Sequence, residues 1–133
     1  MATNGHIQIG QLGENIAVGY LQNRGFRVVE RNYRKKWGEI DIIVEKDSVF
    51  HFVEVKSASV SREFSKEGSD RYRPEDHMDR NKKKRLKRAI ETYIQERNVL
   101  ERVDAWTLDL VVVEIDKETR KARVDMIVDV LLD

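Results

Sequence analysis

The sequence predicts an α/β fold in which a mixed central sheet is flanked by helices, and three observations carry that prediction. Apolar residues recur at helical spacing in two separate stretches, one near the start of the chain and one around residue 90. Three strand-like runs lie between them, and one or two more follow the second stretch. The long connection through that second stretch permits the strand after it to run parallel to the third, as a crossover requires.

Leu12, Ile16, Ala17, Tyr20 and Leu21 form the first stripe, and Gly25 follows where a helix end favours a left-handed residue. A helix is predicted over about 9–24, with Glu14 off the apolar stripe. Residues 26–30 read as a short strand, and 32–38 as a polar connection carrying Arg34, Lys35 and Lys36. Residues 38–44 and 49–56 read as the arms of a hairpin that turns at Lys46-Asp47-Ser48. From Ser57 to Asp76 the pattern dissolves into Ser, Arg, Glu, Gly and Asp, which predicts a long mobile loop over about 57–76. Leu86, Ala89, Ile90, Tyr93 and Ile94 give the stripe of a second amphipathic helix beginning after Pro74. Residues 108–113 read as a buried strand, and 122–132 as a final strand reached through a polar turn at Asp116-Lys117-Glu118. At 133 residues, all of this fits a single domain, 1–133, with a core of its own.

Composition narrows the chemistry. With 40% hydrophobic and 37% charged residues, the chain reads as a soluble domain with a heavily charged surface. The absence of cysteine excludes a disulfide framework, a thiolate zinc site, an iron–sulfur cluster and a cysteine nucleophile. A net charge of +1 conceals an uneven distribution, because basic residues crowd Arg71 to Arg88 while acids gather from Asp104 onward. The first residues lack a basic stretch leading into an apolar one, and no apolar run approaches membrane-spanning length. The expectation is a cytoplasmic protein with no membrane partner.

The hairpin arms hold acids inside apolar runs, and a desolvated carboxylate is normally paired, protonated or bound to a cation. Alternation along a strand puts Glu39 and Asp41 on one face, and Glu54 and Lys56 on one face. Folded as a hairpin, the two runs bring three carboxylates and one ammonium to one end of a sheet. Oxygen ligands of this kind select a hard ion such as Mg²⁺, which needs few protein carboxylates because it keeps several waters.

Asp41 followed by Glu54-Val55-Lys56, with Glu14 on a preceding helix, is the pattern of the PD-(D/E)XK nuclease superfamily. Around it stand Gly10-Gln11-Leu12-Gly13-Glu14, Gly25-Phe26, Arg31-Asn32-Tyr33-Arg34, Gly38-Glu39-Ile40-Asp41, Phe52-Val53-Glu54-Val55-Lys56 and Lys84-Arg85-Leu86. Together these resemble the YraN family of bacterial proteins, and the resemblance covers nearly the whole chain. It implies a restriction-endonuclease-like αβββαβ core. It further implies that Asp41 and Glu54 ligate the metal and that Lys56 is the lysine of the E-x-K element. Glu14 matches the helix-borne acid of archaeal Holliday junction resolvases, and Glu39 matches the family's glycine-glutamate-hydrophobic-aspartate element. Ile40 stands where the superfamily usually has proline.

The function expected from these features is metal-dependent phosphodiester hydrolysis in DNA, with branched or otherwise structured DNA as a candidate substrate and Mg²⁺ or Mn²⁺ as cofactor. Lys56 would position the attacking water or act as its base, beside Asp41, Glu54 and Glu14. An isolated E-x-K triplet is more often a solvated ion pair; its occurrence with Asp41, Glu14 and the matching element order favours a site. The basic segment Lys82, Lys83, Lys84, Arg85, Lys87 and Arg88 is expected to contact a phosphate backbone, extended by Arg71 and Arg73 and by Arg34, Lys35 and Lys36. DNA is expected rather than RNA, without base readout, and pairing of two copies is open. Two rival readings are a non-catalytic nucleic-acid-binding module and an adaptor in DNA repair or uptake. His51 falls on the strand face opposite Glu54 and Lys56, and Asp109 reads as a buried, hydrogen-bonded acid.

Overall fold

A computed structural model describes residues 5–60 and 79–130, with side chains from residue 9 onward. In chain order the elements are α1 (Gly5–Asn23), β1 (Arg27–Lys35), β2 (Gly38–Lys46), β3 (Val49–Val60), α2 (Arg80–Glu96), a 3₁₀ turn (Val99–Glu101), β4 (Ala105–Asp116) and β5 (Ala122–Ile127). The strands make one sheet in the order β1-β2-β3-β4-β5. Every neighbouring pair is antiparallel except β3 and β4, which run parallel from Val49↔Ala105 to Val60↔Asp116. The expected mixed α/β sheet with two helices and an αβββαβ core is the architecture found.

Local sequence explains the element ends. Helix α1 closes when the Gly25 N–H bonds the Gln22 carbonyl and the Phe26 N–H the Leu21 carbonyl, both at 3.0 Å, with Gly25 at φ 90°. That left-handed closure is nearly free for glycine and strained for other residues. Helix α2 starts at Asp79, whose carboxylate accepts from the Lys82 N–H at 2.7 Å. The β2–β3 hairpin turns through Asp47 and Ser48 at φ 52° and 63°, the two left-handed residues of a type I′ turn.

Two cores sandwich the sheet. On one side Ala17 and Leu21 of α1 pack with Ile42, Val44, Val53, Val111 and Val113. On the other, Leu86, Ala89, Ile90 and Tyr93 of α2 pack with Ile43, Phe50, Phe52 and Leu108. These helix residues belong to the two stripes read from the sequence, although Leu12 of the first stripe is exposed. The Tyr33 hydroxyl donates to Glu96 Oε1 at 2.7 Å and so ties β1 to the end of α2.

Strand limits differ from expectation at several ends, and β4 runs Ala105–Asp116 rather than over 108–113. Strand β1 continues through Lys35, because Tyr33↔Ile40, Arg34↔Glu39 and Lys35↔Gly38 pairing gives this polar stretch backbone partners. Residues 57–60 belong to β3 rather than to a loop, since parallel pairing with β4 runs to Val60↔Asp116; the rest of the expected loop, 61–76, lies outside the described residues. Strand β5 ends at Ile127. In each case ladder hydrogen bonds, or their end, override the local polar or apolar pattern.

Helix α2 reaches the sheet closely enough that only glycine fits at position 38. A Cβ there would lie 2.4 Å from the Arg85 carbonyl oxygen, a backbone atom that cannot rotate away. Replacing glycine by alanine ordinarily stabilises by roughly 0.4–1 kcal/mol through the unfolded chain. Overpacking costs about 1–3 kcal/mol and wins here. Gly38→Ala is therefore expected to lower stability by about that amount, read from the urea midpoint; a midpoint at or above wild type would show that α2 can back away.

Candidate functional site

Asp41 stands where regular alternation along β2 breaks. Ile40 joins the α2-side core and Ile42 the α1-side core, although residues two apart share a face on an even strand. The break lies across from Asn32 of β1, whose φ is 56° and which falls between the pairs Arg31↔Ile42 and Tyr33↔Ile40. As a result Asp41 borders space on both sides of the sheet. It lines a cleft of about 450 Å³ with Trp37, Glu39, Glu54, Lys82 and Arg85. It also lines one of about 800 Å³ with Glu14, Lys56, Ser57, Lys82 and Lys117. A third, of about 530 Å³, it shares with Glu14, Arg31, Asn32 and Glu39.

The electrostatics centre on the same residue. Asp41 Oδ2 accepts from the Val55 N–H at 2.8 Å, which favours the charged form. Burial outweighs that bond, and the negative charge of Glu54, then of Glu14 and Glu39, adds to it, so the Asp41 carboxyl is pushed up from 3.8 to about 7. The neighbouring acids each hold a cation. Glu54, buried on β3, accepts from Lys82 Nζ at 2.5 Å. Glu14 accepts from Arg31 Nη2 at 2.6 Å and from Asn32 Nδ2 at 3.1 Å. Glu39 accepts from Arg34 Nε at 3.0 Å. Among the described residues no three Asp, Glu or His side chains stand close enough together to hold a metal ion as placed. The donor set that suits one is the Asp41–Glu54 pair, because two crowded, partly desolvated carboxylates are relieved by a divalent cation.

Residues 13–128 match the model of the uncharacterised protein family UPF0102, which is the YraN family. The chain belongs to this family. A UPF0102 protein of Aliarcobacter butzleri is 33% identical over 109 residues, which cover 81% of this chain and 87% of that protein. One from Dictyoglomus thermophilum is 38% identical over 87 residues, or 65% of this chain and 67% of the relative. One from Campylobacter fetus reaches 58% identity over 50 residues, and the match spans 38% of this chain and 45% of that protein. The match to the Campylobacter lari protein likewise spans 43% of its length.

The matched region contains every acid at the clefts. Lys56, exposed, shares a face of β3 with Glu54 and opens to the larger cleft beside Glu14 and Asp41. Of the basic residues expected to meet nucleic acid, Lys84, Lys87 and Arg88 are exposed on α2, Lys83 is partly buried, and Arg85 borders the smaller cleft. Arg88 lies over the Trp37 ring, 4.4 Å from its centroid. Lys36 is exposed, Arg34 is held by Glu39, and Lys35 is drawn to Glu96 at 2.9 Å. Arg71 and Arg73 lie outside the described residues.

In the sequence Arg31 and Asn32 are motif residues with no evident role, and the structure makes them the partners of Glu14. Gly13 is likewise only a motif letter until the helix is seen in place: a Cβ there would meet Ser57 Cβ at 2.7 Å, so glycine lets α1 bring Glu14 against β3. A Gly-Glu step on a helix facing an E-x-K strand is the signal that could have found it. His51 and Asp109 lie apart from this site. Asp109 is fully buried and accepts from Thr107 Oγ1 at 2.9 Å, from the Asp129 N–H at 3.0 Å and across 2.7 Å from His51 Nδ1.

The raised Asp41 carboxyl sets a pH dependence. Folded Asp41 keeps its proton to about pH 7, whereas an unperturbed aspartate releases it near 3.8. The native state thus binds more protons than the unfolded chain between those values, so stability falls as pH rises through that window and levels off above it. Asp41→Asn, which retains an oxygen for the Val55 N–H, is expected to remove this decline and to exceed wild type at alkaline pH by roughly 1–3 kcal/mol. Urea unfolding at acidic and alkaline pH measures it; identical pH profiles for the two proteins would count against the crowding.

Proposed function

We propose that this protein is a metal-dependent phosphodiester hydrolase acting on DNA, with branched or otherwise structured duplexes as its substrate class. One observation carries the reading: a carboxylate made costly by burial and by three neighbouring acids shares one cleft with the exposed Lys56 and another with Lys82 and Arg85. Asp41 and Glu54 would hold Mg²⁺ or Mn²⁺, which supplies a polarised phosphoryl oxygen and an acidified water when bound. Two carboxylates suffice for such an ion, since waters and substrate phosphate oxygens take its other positions. Glu14 and Glu39 strengthen the local field, and Glu14 is within the same cleft as Lys56. Lys56 carries a donor on a flexible stem to the cleft where a scissile phosphate would lie, there to orient the attacking water or take its proton. Lys84, Lys87 and Arg88 would contact the flanking backbone, without reading bases.

Cleavage of a panel of linear, nicked and four-way DNAs in Mg²⁺ or Mn²⁺ tests the reading. Asp41→Asn and Lys56→Ala are each expected to reduce the rate by about 100-fold or more, as loss of a reacting-centre charge or proton carrier does. Variants that cut as fast as wild type would refute it.

The ion pairs on Glu14, Glu39 and Glu54 favour a second reading, a binding module whose acids are satisfied without metal. It predicts DNA affinity that is unchanged by EDTA and no cleavage in any ion. Under either reading, Lys84→Ala with Lys87→Ala should flatten the salt dependence of binding by roughly one log–log unit for each phosphate no longer neutralised; an unchanged slope would remove α2 from the interface.

A further inference from the structure

Among the described residues, Lys82 is the basic side chain of α2 that points its charge at an acid of the site rather than at solvent. Its ammonium lies 2.5 Å from Glu54 Oε2, with the carboxylate side chain 9% exposed and the lysine 37% exposed. The backbone under it is fixed, because the Lys82 N–H is the bond that Asp79 uses to cap the helix. The stem above it is partly exposed, and it borders both the cleft that contains Trp37 and Arg85 and the cleft that contains Lys56. Glu54 and Asp41 face one another one step beyond the Ile42↔Val53 pair. A single ammonium balances only one of these two carboxylates, and Asp41 remains crowded.

We propose that Lys82 stands in for the divalent ion at Glu54 and is displaced onto a substrate phosphate when the ion binds, so that ion and nucleic acid each tighten the binding of the other. This rests on the reading of Asp41 and Glu54 as the ion-holding pair. The physical reason is charge. An ammonium in contact with Glu54 would sit a few ångströms from a dication on the same carboxylate, and their repulsion in a partly desolvated site is larger than any contact the lysine makes there. A dication meets both carboxylates at once and therefore wins the competition. The displaced ammonium has a four-carbon stem anchored at the helix start, and the clefts it borders are where phosphates would lie. In the absence of substrate the released charge has no partner, which weakens ion binding. With a phosphate present it has one, and linkage makes the effect reciprocal.

The test uses Mn²⁺ alone, titrated calorimetrically into the 133-residue protein. Lys82→Met and Lys82→Gln remove the competing charge and keep most of the stem, and each is expected to bind Mn²⁺ at least about tenfold more tightly than wild type, within the range of ordinary site-to-site coupling. Lys82→Arg keeps the charge and should stay near wild type. A purely structural role for Lys82 would move affinity the other way, by loosening the site, and the glutamine variant covers the case in which the methionine one folds poorly. In a Lys56→Ala background, duplex DNA should tighten Mn²⁺ binding about fivefold when Lys82 is present and not in Lys82→Met. If wild type binds Mn²⁺ and cleaves while the Met and Gln variants bind it no more tightly, the displacement is wrong and the ion site stands. If neither wild type nor the Met and Gln variants bind Mn²⁺, both are wrong.

Discussion

Asp41 is held where its charge is least welcome. It is partly desolvated, hydrogen-bonded to the Val55 backbone, and subject to the fields of Glu54, Glu14 and Glu39. The surrounding structure is arranged around that cost. Gly13 brings α1 against Ser57, and Gly38 lets α2 approach through Arg85, so both helices close on the same end of the sheet. Asp109 shows that this chain can bury an acid without leaving it crowded. Thr107, His51 and the Asp129 backbone all converge on that carboxylate, as buried polar groups require. Two acids on neighbouring parts of one sheet are thus treated in opposite ways, one satisfied by short hydrogen bonds and one set among other anions. The first arrangement satisfies its acid outright, and the second leaves a carboxylate whose charge an added cation would relieve, which is what the proposed function draws on.

Much of this is legible in the sequence because it depends on period and order. The helix stripes from Ile16 to Leu21 and from Leu86 to Ile94 survive as core contacts, while Leu12 is exposed, and the element order limits which strands can pair. Asp41, Glu54 and Lys56 are visible as charges inside apolar runs. What alternation cannot show is Asn32 in its left-handed conformation, which disturbs the period across from Asp41 and opens that residue to both helix layers. Nor can a one-dimensional pattern foresee strand continuation at Asn32 to Lys35 or at residues 57–60. There the partner strand, not the segment's own polarity, supplies the reason to be extended. In the sequence Lys82 is one of several interchangeable basic residues. Its contact with Glu54 depends on where α2 starts, and that is fixed by Asp79 just beyond a stretch whose composition suggests only a loop.

Helix α2 therefore has two chemical faces. Leu86, Ala89, Ile90 and Tyr93 seal it onto the sheet, while its first turn delivers a cation to the site, Lys84 and Lys87 are exposed, and Arg88 lies over Trp37. Anchoring and charge delivery are coupled through a rigid element, so a shift of the helix would move both together. Gly38 matters for that reason as much as for packing: the close approach it permits sets how far Lys82 stands from Glu54.

Among the described residues three ion pairs encircle Asp41, and each joins two different elements. Glu14 and Arg31 link α1 to β1, Arg34 and Glu39 link β1 to β2, and Lys82 and Glu54 link α2 to β3. An exposed pair such as Arg34–Glu39, more than half exposed on both sides, contributes only about 0–1 kcal/mol, and a pair on a buried carboxylate such as Lys82–Glu54 loses much of its Coulomb gain to desolvation. Stability is thus a weak reason for having three of them around one residue. Positioning is a stronger one, because each pair fixes the direction of an acid that would otherwise repel Asp41. Acids kept close to one another by removable counter-charges form a site whose charge can be rearranged by a ligand, and an inert structural cluster has no need of that property.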